Sequence, residues 1–310
     1  MPLLYQNEMF EQHDTGQHPE CAKRLEKVRQ HLASRGTLEK FDLRPCPTID
    51  TKHLLAIHTD DHIRKVKAYA ESGGGRIESD TVVSRMSYDV ALTAVGTACD
   101  AVKNVIQGED QQAICLIRPP GHHAVQKAPM GFCLFNNVAV AAKYAIDQFD
   151  LNRVLIIDWD VHHGNGTQDA FWTDEQVGFL SIHRWPFYPG SGDKDETGTG
   201  KGSGYTVNLP IEFGTSRKDY FDIFKKETEE FAQKVNPELI LISAGFDSHR
   251  QDPIGSLGLE TEDFSELTEF VFQLAKRFCQ GRIVSLLEGG YNTDVLPLCV
   301  EEHLNSFLTD

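Results

Sequence analysis

Short, nearly continuous apolar runs recur along this chain, and longer segments with helical spacing separate them. Ala113–Ile117, Arg153–Ile157, Val177–Ile182, Tyr205–Leu209, Glu238–Ile242 and Arg282–Leu287 read as core strands, because strands covered on both faces lose the in–out alternation. The Ala-rich segment Asn136–Asp147 reads as a helix, as does Ser216–Val235 with Tyr220, Ile223, Phe224, Phe231 and Val235 at apolar positions. Glu262–Gln280 is a third helix. Its acidic first turn (Glu262, Asp263), basic last turn (Lys276, Arg277) and following Gly281 suit the helix dipole and a glycine stop. Upstream, Glu20–Ser34, Asp60–Ser72 and Tyr88–Gln107 also carry helical spacing. Strands alternating with helices predict an α/β class with a mainly parallel sheet between helices. Without a linker or repeat, residues 1–310 read as one domain.

Four of the strands run straight into polar clusters. Ala113–Ile117 leads to Gly121, His122 and His123; Arg153–Ile157 leads to Asp158, Asp160, His162 and His163. Glu238–Ile242 leads to Gly245, Phe246 and Asp247; Arg282–Leu287 leads to Glu288, Gly289, Gly290 and Tyr291. Ligands of open parallel sheets bind beyond the carboxyl ends of the strands, so the four clusters are expected to converge.

Composition narrows the partners. With 30 basic and 46 acidic residues the formal charge is −16, a surface that repels phosphate backbones and excludes direct nucleic-acid binding, while tolerating cationic ligands. The seven cysteines are odd in number and form no Cys-x-x-Cys, which argues against a disulfide framework and a cysteine zinc site. No signal peptide or membrane-length apolar run is evident, so a soluble, cytoplasmic protein is expected. Gly200-Lys201-Gly202-Ser203 fails the phosphate-loop pattern, because Asp195 stands where its first glycine belongs and Gly202 where its Ser or Thr belongs.

Alternate residues of an extended segment share a face, which gives Asp158, Asp160 and His162 a common direction. Asp160 and His162, joined by Asp247 from another strand end, make two carboxylates and one imidazole: enough to hold Zn²⁺ and leave a position for water and substrate. Residue type alone does not separate zinc from Fe²⁺, Mn²⁺ or Co²⁺. After the Pro119-Pro120-Gly121 turn, one of His122 and His123 is expected to carry protons and the other, oriented by a carboxylate such as Asp158, to stabilise developing charge. Tyr291 follows two glycines and can donate to a carbonyl oxygen as it becomes an oxyanion.

These motifs together resemble the histone deacetylase family, which includes bacterial deacetylase-like amidohydrolases and acetylpolyamine amidohydrolases. The matching segments are Arg118–His123, Gly131–Asn137, Ile157–Gln168, Ser181–His183, Tyr188–Gly192, Ser243–Pro253 and Leu287–Asn292, with His18-Pro19-Glu20 and Arg24-Leu25 upstream. The wording of WDVHHGNGTQ and LEGGYN is closer to class II members. The resemblance implies the three-layer arginase–deacetylase fold, with an eight-stranded, mostly parallel sheet between helices. It implies one Zn²⁺ held by Asp160, His162 and Asp247, with His123 as general base and acid. His122 would be its electrostatic partner, Asp158 would stand behind His122, and Tyr291 would polarise the amide carbonyl. Phe132 and Tyr188 would wall a narrow channel, with Gly131 at its rim. It also implies structural K⁺ sites, one at Asp158, Asp160, His162, Ser181 and Ile182, the other at Phe171, Asp174, Val177 and Tyr205.

The expected activity is therefore hydrolysis of acetyl or other acyl groups from lysine side chains. Acylated small amines are the rival substrates, and a catalytically silent acyl-lysine-binding module is the rival of another class. A homo-oligomer is compatible with this reading. Three departures bear on specificity. Asn165 stands where some members have Asp, and would leave His123 less stabilised as imidazolium. Cys21-Ala22 replaces a common Arg-Pro at the channel mouth. Ile254 is apolar where polyamine-selective members carry an acid, which leans toward acyl-lysine. A ureohydrolase on the same fold would need a second Asp-x-Asp cluster, which is missing.

Overall fold

The computed structural model describes residues 1–308; the last two residues of the expected 1–310 span lie outside the described residues. In chain order the first elements are β1 (Leu3–Gln6), α1 (Lys23–Ser34), β2 (Asp42–Arg44), α2 (Asp60–Glu71), β3 (Gly74–Arg76), β4 (Val82–Ser84) and α3 (Ser87–Gln107). Then follow β5 (Gln112–Leu116), α4 (Asn137–Phe149), β6 (Val154–Asp158), α5 (Asn165–Phe171), β7 (Val177–Trp185) and β8 (Thr206–Glu212). The chain finishes with α6 (Arg217–Val235), β9 (Leu239–Ala244), α7 (Asp263–Cys279), β10 (Ile283–Leu287) and α8 (Leu296–Ser306).

Eight strands form one sheet in the order β2-β1-β5-β10-β9-β6-β7-β8, and every pairing in it is parallel. The six strands expected from the apolar runs are all present. Their inner positions, such as Leu155, Ile156, Leu241, Ile242 and Val284, are fully buried, as a sheet covered on both faces requires. Helices α2, α3, α4 and α5 contact one another on one side; α1, α8, α7 and α6 form a second contiguous layer. This is the three-layer arginase–deacetylase architecture. Nearly all of its buried apolar residues form one contiguous cluster; Ala124, Cys133 and Tyr291, near the strand tips, stand outside it.

Local signals set the ends of the elements. Asn136 caps α4 by accepting from the Ala139 N–H, and Ser216 caps α6 by accepting from the Asp219 N–H. Gly108, at φ +82°, closes α3 in the left-handed conformation that glycine adopts without strain. Among the described residues, no helix is long and apolar enough to cross a membrane.

Several histidines lie in this interior away from the strand tips. Burial pushes His58 and His303 down to about 3, and burial also takes His13 and His62 down to about 4. His303 is held between the hydroxyls of Thr268 (2.6 Å) and Ser285 (2.8 Å) and stays neutral. In the unfolded chain each returns to about 6.5. The unfolded state therefore binds more protons than the native state between about pH 6.5 and about pH 4. Stability present above the unfolded pKa is lost as the pH falls toward the folded ones. Glu288 and Asp247, both raised to about 7 chiefly by burial, oppose this, as do His122 and His162, raised by their carboxylates; His163 and His183, lowered by burial to about 4 and about 3, add to it and keep the lowered histidines in the majority. The urea midpoint is expected to fall between pH 7 and pH 5 at constant m; a flat or rising midpoint would contradict the assignment.

Candidate metal centre and active site

The four strands that end in polar clusters are the four central neighbours, β5-β10-β9-β6. Adjacency is why the clusters meet. From β6, Asp158 ends the strand; Trp159 and Val161 are fully buried in the core, while Asp160 and His162, also buried, turn toward Asp247. The strand ladder stops at Asp158, so Asp160 and His162 lie on a loop and not on the extended segment expected from the sequence. Side chains hold that loop: Asp158 Oδ1 accepts the Asp160 N–H (3.0 Å), and Asp160 Oδ1 accepts the His162 N–H (2.9 Å). Asp247, beyond β9, accepts the Val161 N–H through Oδ1 (2.9 Å) and turns Oδ2 inward.

Asp160, His162 and Asp247 form the one group of metal-ligand type found among the described residues, each offering an atom within 4.8 Å of the others. His162 Nδ1 faces both carboxylates, 3.0 Å from Asp160 Oδ1 and 3.2 Å from Asp247 Oδ2. The fit to a divalent cation rests on three observations. Asp247 Oδ2 is buried with no hydrogen-bond donor. A side chain at Gly289 would strike Oδ2 of both Asp247 and Asp160, so the missing Cβ is what lets the two carboxylates come together. And burial, then the neighbouring Asp160 charge, push the Asp247 carboxyl up to about 7, while the two carboxylates outweigh burial and lift His162 to about 9. A site that raises an acid and a base together is short of positive charge. Two carboxylates and an imidazole match a catalytic zinc donor set.

His122 and His123 stand beside this group, their ring centroids 4.0 Å apart. His122 Nδ1 is 2.9 Å from Asp158 Oδ2. Although burial disfavours its charge, Asp158 and Asp160 raise His122 to about 10. His123 goes the other way: burial first, then the charges of His122 and His162, hold it well below 6.5. Its Nδ1 is 2.6 Å from the Asn165 amide oxygen. The environments separate a charged imidazole from a neutral one. This matters for Asn165→Asp, which sets an anion against His123 and raises its pKa. The acid limb of kcat/KM is expected to move to higher pH; an unmoved limb would remove His123 from the rate equation.

A narrow cavity of about 220 Å³ ends on these groups, lined by Asp80, His123, Gly131, Phe132, His162, Phe187, Tyr188, Ile254 and Tyr291. All four residues expected to line the channel are in its wall. Phe132 holds φ +69°, an unusual conformation for a bulky residue, fixed by its N–H to Thr81 Oγ1 (3.1 Å). Tyr291 meets the Phe132 ring edge-on at 5.6 Å and packs under Arg24, whose guanidinium is 5.0 Å from its ring centre. Burial and the Asp247 charge hold the Tyr291 phenol well above 10, so it is a donor at neutral pH. Sequence reasoning missed Phe187, stacked on His162 at 5.4 Å, and Asp80, which accepts from the Tyr188 hydroxyl at 3.0 Å. His163 stays out of the cluster, held by Ser191 and Gln168. A larger open depression of about 660 Å³ lies beyond Asn165, among Gln168, Trp172 and Glu196, and contains neither the histidine pair nor the carboxylates. Asp158 and Ser181 are register partners on β6 and β7. Phe171, Asp174, Val177 and Tyr205 gather at the opposite, starting ends of β7 and β8, where the Phe171 carbonyl accepts from the Asp174 N–H and the Tyr205 carbonyl from the Phe179 N–H.

The class is thus an α/β protein of three layers with a candidate metal group at the floor of an aromatic channel. A family model described as the histone deacetylase domain matches residues 18–307. A probable deacetylase of Archaeoglobus fulgidus is 37% identical over 294 residues, spanning 94% of this chain and 81% of that protein. The Arabidopsis thaliana protein named histone deacetylase 14, chloroplastic, is 36% identical and covers 99% of this chain and 76% of its own. The crystal structure of the HDA15 HD domain superposes with a TM-score of 0.93 at 34% identity, covering 99% of this chain and 91% of that one. The chain belongs to the histone deacetylase family, a family of hydrolases.

Proposed function

We propose that residues 1–310 form a single catalytic domain that removes acetyl groups from lysine side chains with the aid of one zinc ion. The observation that carries this reading is the buried Asp160–His162–Asp247 group at the floor of an aromatic channel. Bound by those three residues, zinc supplies a Lewis acid that activates water at neutral pH. Phe132 and Tyr188 flank the alkyl stem, and Tyr291 donates to the carbonyl oxygen as negative charge gathers there. His123, neutral at the outset, takes the proton of the attacking water. The water oxygen bonds to the acyl carbon, the carbon–nitrogen bond breaks, and a histidine returns a proton to the departing amine. Acetate and a free amine leave. His122, kept positive by Asp158, steadies the charge; Asn165 orients His123.

Ile254 supports acyl-lysine over acylated polyamines, because its side chain offers a second ammonium group no partner, and Asp80, the carboxylate in the cavity lining, already accepts from the Tyr188 hydroxyl. The reading extends to K⁺ at Asp158, Asp160, His162, Ser181 and Ile182, and at Phe171, Asp174, Val177 and Tyr205. Seven unpaired cysteines support a reducing compartment, the cytoplasm. The test is a panel of acetyl-lysine peptides and acetylspermidine with and without a zinc chelator. Chelator-sensitive hydrolysis of the peptides is expected. Preference for acetylspermidine would move the reading to polyamines, and binding without hydrolysis would make the protein a silent acyl-lysine module.

A further inference from the structure

Glu288 takes no part in the chemistry just described, yet its side chain is fully buried at the tip of β10, three residues before Tyr291. Its Oε2 accepts two backbone N–H groups, from Gly121 (2.6 Å) and His122 (3.2 Å). Ser243 Oγ, on β9, donates to Oε1 at 3.4 Å. The Glu288 N–H donates to the Ala244 carbonyl (3.0 Å), and its own carbonyl accepts from Arg24 Nη2 (2.5 Å). The backbone ladder between β5 and β10 runs only as far as the Cys115–Leu286 pair. Beyond it, the turn bearing both histidines has no strand partner on that side, and the Glu288 carboxylate continues the ladder with a side chain. On the other side, the His122 carbonyl accepts from the N–H groups of Gly166 (3.0 Å) and Thr167 (3.2 Å). The His122 peptide is therefore gripped at both ends.

We propose that Glu288 is a positioning residue: by accepting the Gly121 and His122 N–H groups it fixes the distance between the histidine pair and Tyr291. What the site needs from it is an acceptor oxygen, not a charge. Burial raises this carboxyl to about 7, and its neutral form keeps an oxygen for both donors. Glutamine supplies the same oxygen and turns its NH₂ toward Ser243. An aliphatic residue leaves two buried N–H groups unpaired and frees the turn.

The test compares Glu288→Gln with Glu288→Val, using zinc content, kcat and KM for an acetyl-lysine peptide, and histidine ¹⁵N resonances. Glu288→Gln is expected to keep kcat and the His122 and His123 resonances close to wild type. Glu288→Val is expected to keep its zinc and KM while kcat falls about 100-fold, the usual cost of a misplaced catalytic group, and to displace both resonances. If Glu288→Val does not fold, Glu288→Ala replaces it, and formate, which returns a carboxylate to the emptied space, is expected to restore kcat. Equal damage in Glu288→Gln and the aliphatic variant would overturn the proposal, as would wild-type kcat in the aliphatic variant. The kinetic arm rests on the deacylase reading. Should wild type hydrolyse nothing, that reading fails, while the resonances still decide the role of Glu288.

Discussion

Asp247→Asn is expected to lose zinc and, with it, essentially all hydrolysis. Two oxygens of Asp247 have separate tasks. Oδ1 holds the Val161 N–H at 2.9 Å, and Oδ2 is the buried oxygen without a donor that faces His162. Asparagine keeps an acceptor for Val161, so the loop is preserved while the anionic ligand is gone. A four-ligand zinc site in a folded peptide is worth about 10–16 kcal/mol, so one ligand carries roughly 3–4 kcal/mol, or about 10²–10³ in affinity. Zinc measured by elemental analysis after dialysis is expected to be sub-stoichiometric, with the melting temperature near that of the metal-free wild type, because the stabilisation by bound zinc is lost. Full zinc retention would break the ligand assignment.

The second large effect is on turnover alone. Tyr291→Phe removes one hydroxyl and keeps the ring against Phe132 and Arg24. Losing a single oxyanion donor costs about 10²–10³ in kcat. Zinc content and KM are expected to stay near wild type, because the hydroxyl binds the transition state better than the ground state. A parallel loss of zinc and kcat would make Tyr291 a structural residue instead.

The sequence was most legible where burial is greatest. β5, β6, β9 and β10 carry apolar residues on both faces, and each ends in residues that have no business in a core. That is enough to place Asp158, Asp160, His162, Asp247 and Tyr291 together from the sequence alone. The edge of the sheet was hidden. β2 is three residues long with Leu43 exposed, and the apolar part of β1 is only Leu3, Leu4 and Tyr5, a run too short to stand out as a core strand. Asp80 was missed because the Gly-rich hairpin of β3 and β4 has no strand period, and only the fold brings its connecting loop to Tyr188 at the channel. Phe187 was missed beside Tyr188, since two adjacent aromatics on a loop give no hint that both face the channel. Glu288 was visible only as the end of a strand. Its importance lies in two backbone donors more than 160 residues away in sequence, a relation that no local pattern encodes.

The most direct measurement is a titration of metal-free enzyme with zinc, followed by hydrolysis of an acetyl-lysine peptide. Activity should climb in proportion to added zinc and stop rising at one equivalent per chain, with no gain in Asp247→Asn. Undiminished hydrolysis in the metal-free enzyme would contradict the account at its centre.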